Sequence, residues 1–150
     1  MGRKYAGIGN AAVGTNLTIL ALKTAATVRP ELFELNISCG ATPADLTTIF
    51  HLERFTAIGT EGGGFTPVAL DPNDPASLCD YGTGVYSGEP TYTASAHLLN
   101  ISVHQRAIYR WIAAPSAAFK APATANNGIG LQSQSSGGTA SHTVTMLHEE

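Results

Sequence analysis

At 150 residues, with 43% hydrophobic and 13% charged residues, the chain has the size and balance of one globular domain that buries a core. Its formal net charge of -3 excludes the basic field that non-specific nucleic-acid binding requires. No apolar run is long enough to span a bilayer, no secretory leader is expected, and MGRKYA lacks the Ser or Thr of a myristoylation signal, so no membrane partner is expected either.

Charge is unevenly placed. Up to Arg29 the bases Arg3, Lys4, Lys23 and Arg29 stand without an acid, whereas Pro30 to Gln105 hold nine acids and Arg54 as the one base. A basic, glycine-rich start ahead of an acidic body predicts an arm lying on an acidic surface. Residues 1–15, MGRKYAGIGNAAVGT, have no hydrophobic period and are assigned to that extended N-terminal arm; residues 16–150 are assigned to a single domain.

From Asn16 the composition turns to β-formers. In ELFELNISC the residues Phe33, Leu35, Ile37 and Cys39 alternate with Glu34, Asn36 and Ser38, the period of a strand with one buried face. LTTIFHLERFTAI is apolar on both faces in places and predicts a central strand. TYTASAHLLNISVHQRAIYRWIAA predicts two strands or one long bent strand, and SHTVTMLHEE closes the domain with Val144 and Met146 on one face. The alanine-rich pieces are broken by proline and β-branched residues and show no helical period. Short strands between Gly, Pro, Asn and Ser clusters predict an all-β fold, an antiparallel β-sandwich.

Between Ile58 and Thr91 lie roughly thirty residues without periodicity, longer than compact domains usually tolerate without a function. Phe65, Val68, Leu70, Leu78, Tyr81, Val85 and Tyr86 ask for burial there, while prolines at 67, 72 and 75 stiffen the backbone. A stiff, partly apolar loop of this kind predicts docking on a partner surface.

Motifs for catalysis are missing. His51-Leu52-Glu53 has the H-x-E of zinc deaminases but no paired cysteines follow it. No H-x-H is available for a cupin-type centre, and His97, His104, His142 and His148 read as separate strand histidines. GIGNAAVG and the triple glycine at 62–64 do not join a strand to a helix, so the phosphate-cradling arrangement is not expected. No catalytic residue, metal or cofactor is therefore expected, and Cys39 and Cys79 are read as reduced thiols. The sequons at Asn16, Asn36 and Asn100 are read as chance. Tyr109 and Trp111 share a face and predict either core packing or a sugar platform.

FELNIS followed by TTIFHLERFTAIGTEGGGFTPVALDPNDPA resembles a group of small tailed-phage virion proteins, in which a strand ends in an arginine-containing step before a Gly-rich turn, a T-P and a "PLDP-x-x-PA". Here these are Arg54, Gly59 to Gly64, Thr66-Pro67, Leu70-Asp71-Pro72 and Asp74-Pro75-Ala76. Trp111 in YRWIAAP and the terminal HEE also fit. The likeness covers residues 31–150 and is most specific in 54–76; it departs in the N-terminal segment and in GIGLQSQSSGG.

The resemblance implies a head decoration, or cement, protein: a jelly-roll-like sandwich made in the host cytoplasm and assembled as a homotrimer on the outer capsid surface of the virion. The partner it implies is the major capsid protein, whose neighbouring subunits it would bridge. The contact residues expected are Arg3, Lys4 and Tyr5 of the arm, Phe65, Pro67, Val68 and Leu70 of the loop, and Trp111. The alternative function is a glycan- or receptor-binding module of a tail fibre, with Trp111 and Tyr109 as its platform.

Overall fold

The computed structural model describes residues 2–40, 42–134 and 140–150. Among them none is helical, and twelve strands form two antiparallel sheets packed face to face. Eight strands carry the architecture: β1 (Lys4–Ala12), β2 (Leu17–Lys23), β3 (Glu31–Cys39), β4 (Thr47–Ala57), β8 (Thr91–His104), β9 (Tyr109–Ile112), β11 (Gly128–Ser133) and β12 (Ser141–Glu149). One sheet runs β9-β3-β12-β1 and the other β8-β4-β11-β2. The chain changes sheet at every step except β4 to β8, which is the double Greek-key order of a jelly roll. β10 (Phe119–Lys120) prolongs β9 along the free edge of β3.

Between the sheets lies the core: Leu20, Leu22, Leu35, Ile37, Phe50, Leu52, Ile129, Leu131, Val144 and Met146 are all fully buried there. Each such aliphatic side chain contributes on the order of 1.5–3 kcal/mol relative to exposure. β12 follows the period of its sequence, with His142, Val144, Met146 and His148 inward and the residues between them half-buried. β3 keeps its expected buried face at Leu35 and Ile37 but departs from it at Phe33. Leu147 pairs with Glu34 but His148 pairs with Leu32, so Phe33 is the extra residue of a bulge. Leu32 takes the buried position, and Phe33 lies half-exposed beneath the Lys4 ammonium, 5.4 Å from its ring centre.

The expected arm is not an arm. Residues 4–12 form β1, which pairs with β12 over nine residues, from Lys4 with Glu149 to Ala12 with Ser141. Tyr5, Gly7 and Gly9 face the core; Ala6, Ile8 and Asn10 face outward. Alternation is present but two of the three inward positions just named are glycine; a side chain at Gly7 would meet the Tyr81 ring. The segment thus belongs to the same sandwich as residues 16–150. β11 was equally hidden: GIGLQS is the central strand of its sheet, between β2 and β4, with all six residues buried. Gly130 lies under the Tyr92 phenol, which occupies the space of a side chain.

Residues 59–90 also turn inward. They hold β5 (Gly63–Phe65), β6 (Val68–Ala69) and β7 (Asp80–Thr83). β7 pairs with β2, β5 with β7, and β6 with β1, so the excursion adds strands to the same edge of both sheets and closes that side of the sandwich. Its continuation crosses the outer face of the β2 sheet, where Tyr86 packs with Ala21 and Phe55 and Tyr92 leans against them. The excursion is therefore partly packed on its own chain: Pro67, Cys79, Tyr81 and Tyr86 are buried, whereas Val68, Leu70, Leu78 and Val85 stay exposed.

Candidate functional site

β1 and the 59–90 excursion, separated by 46 residues in sequence, lie side by side. The Leu70 amide donates to the Lys4 carbonyl at 2.8 Å, and Ala6 pairs with Val68. The outward contact residues then fall into two sets. Arg3, Lys4 and Leu70 face outward and line an open depression with Gly2, Asp71 and Asp74. Phe65 and Val68 join Ala6 and Ile8 around a second, apolar depression of about 400 Å³. Val68 and Ile8 are 71% and 59% exposed, values far above those of core aliphatics, so this patch is a free hydrophobic surface.

Two expected contacts are corrected here. Tyr5 points inward, fully buried, with its hydroxyl donating to the Pro75 carbonyl at 3.1 Å and its ring stacked on His148. Pro67 is buried at the turn between β5 and β6. Both hold the surface in place rather than forming it. Trp111 lies at the opposite edge of the sheet, opposite Leu35 on the inward face of β9. Its ring is stacked on Phe119 at 4.6 Å and 6°, and Tyr109 packs against the same core. Both residues are half-buried.

Beneath the patch, the chain end is anchored by a buried polar network. Phe65 stacks on Tyr81, whose hydroxyl meets His148 Nδ1 at 3.0 Å. The Glu150 carboxylate accepts from Ser77 Oγ at 2.5 Å and from the Cys79 and Leu78 amides at 2.9 and 3.1 Å, and His148 Nε2 stands 3.4 Å away. Burial alone would raise the Glu150 pKa, but these donors outweigh it and hold it at about 2. This clamp ties the excursion to the end of β12. Cys79, His148 and Glu150 bring metal-ligating atoms together, yet burial pushes the Cys79 thiol up to about 12 and the other two are already bonded. The arrangement is a structural lock with an inert thiol.

On the outer face of the other sheet, His51, Glu53 and His97 also converge. They are the residues that sequence reasoning missed as a group, since His97 enters from a different strand. No family model, curated protein or solved structure matches this chain.

Proposed function

We propose that the chain is a structural virion protein that decorates the outer surface of a phage capsid and stabilises it by bridging neighbouring major capsid subunits. The observation that carries this reading is the exposed apolar patch of Ala6, Ile8, Phe65 and Val68, mounted on a strand that cannot move without breaking the sandwich. Free hydrophobic surface on a rigid support gains most by docking on another polypeptide. Arg3 and Lys4 line the neighbouring depression together with Asp71 and Asp74, a mixed-charge surface suited to fixing the register of a partner. The resemblance of residues 54–76 to decoration proteins supplies the identity of that partner.

Stabilisation follows from mass action: a protein that binds the assembled lattice better than free subunits raises the cost of opening it. As a cyclic trimer it would use heterologous, ring-closing contacts. The test is co-sedimentation of the purified chain with intact capsids and with unassembled capsid protein, alongside the mass of the free chain in solution. Saturable binding to capsids alone is the expected result; equal failure to bind either would discard the reading.

A further inference from the structure

The outer face of the β8-β4-β11-β2 sheet carries three side chains with the donor set of a metal centre. His51 and Glu53 stand two apart on β4 and so share a face. β8 runs beside β4, and the register shifts between Leu52 and Glu53, which sets His97 directly opposite Glu53. Without that bulge the neighbour would be a different residue. The result is a single carboxylate oxygen, Glu53 Oε1, with His97 Nδ1 at 3.0 Å and His51 Nδ1 at 3.2 Å. All three donor atoms lie within 4.8 Å of one another, and the two imidazole centres are 4.2 Å apart.

We infer that His51 Nδ1, His97 Nδ1 and Glu53 Oε1 bind a divalent first-row transition-metal cation of the Zn²⁺ type. Metal–ligand bonds of about 2.0–2.2 Å place tetrahedral donors about 3.3 Å apart and adjacent octahedral donors about 2.9 Å apart. The two observed separations from Glu53 Oε1 fall between these limits. Two imidazoles and one carboxylate suit zinc and its neighbours rather than calcium or magnesium, which take oxygen ligands. Glu53 is buried to 5% exposure, so its charge calls for a compensating partner. Both histidine side chains are partly open, at 22% and 33% exposure, so the remaining coordination position faces solvent and water completes it. The ligands sit on two paired strands of the scaffold, which fixes their separations. The site shares no residue with the proposed capsid-docking patch, whose Phe65 lies on β5 at the other end of the same sheet, and does not depend on it.

Calorimetric titration of the purified chain with Zn²⁺, paired with Co²⁺ absorption spectra, tests the assignment. One Zn²⁺ per chain is expected, with a rise in Tm on saturation. His97→Ala and Glu53→Gln should each weaken binding by at least about tenfold. His104→Ala, at a separate histidine paired with Asp45, and Cys79→Ser, in the buried lock, should bind as the parent does. Circular dichroism of each variant separates loss of ligand from loss of fold, and Glu53→Gln preserves the shape of its side chain. Absence of Zn²⁺ binding by the parent chain, or undiminished binding by folded His97→Ala and Glu53→Gln, would overturn the site.

Discussion

β1 and β12 are hydrogen-bonded neighbours over nine residue pairs, and they could hardly read more differently. SHTVTMLHE shows its two faces openly; KYAGIGNAA shows none. The difference is where the bulk comes from. In β12 the inward residues Val144 and Met146 fill the core themselves, whereas β1 presents Gly7 and lets the Tyr81 ring of the opposite layer fill the space. A strand can therefore be integral to a sandwich although glycine occupies inward positions and weakens its hydrophobic signal.

The harshest way to break this comparison is to remove β1. Deleting residues 2–12 strips β12 of a partner strand and uncovers the core, so cooperative thermal unfolding should be lost altogether. A free arm would leave the melt unchanged. A subtler version compares single substitutions in the two strands. Gly7→Val drives a branched side chain into the Tyr81 ring and should cost about 1–3 kcal/mol in denaturant unfolding. Thr145→Val, on the outward face of β12, should stay within about 0.5 kcal/mol of the parent.

Acid provides a gentler probe of the lock that joins the excursion to β12. The Glu150 carboxyl is lowered from 4.5 to about 2 in the folded chain. A depressed folded pKa means its contribution is complete above about 4.5 and is lost as pH falls towards 2. Unfolding midpoints measured across that window should fall, and Glu150→Gln should flatten this part of the profile. An identical slope in the variant would assign the acid sensitivity elsewhere.

The same contrast explains what the sequence made legible. β3 and β12 announce themselves by alternation and β4 by a run apolar on both faces in places, and with the turn chemistry they suffice for an antiparallel sandwich. β11, like β1, escapes because its neighbour supplies the bulk: Tyr92 lies over Gly130. The bulge displaces Phe33 from the expected face of β3, since no local signal fixes where a partner strand slips by one residue. The proposed contact surface is half legible. Arg3, Lys4, Phe65, Val68 and Leu70 do gather at one edge, but Tyr5 and Pro67 turn inward and Trp111 stands at the other edge. Ile8 was missed because a presumed arm gives no reason to assign faces. The convergence of His97 on Glu53 depends on the register of two strands whose residues are 44 positions apart, which composition does not encode.

The smallest effect expected on stability is also the most telling for function. Ile8→Asp and Val68→Asp place charges on outward, solvent-exposed positions, so folding should change by no more than about 0.5 kcal/mol. Co-sedimentation of these two folded variants with intact capsids, beside the parent chain, tests the docking patch most directly. The account predicts parental thermal melts with capsid binding lost in both; parental binding by both variants would contradict it.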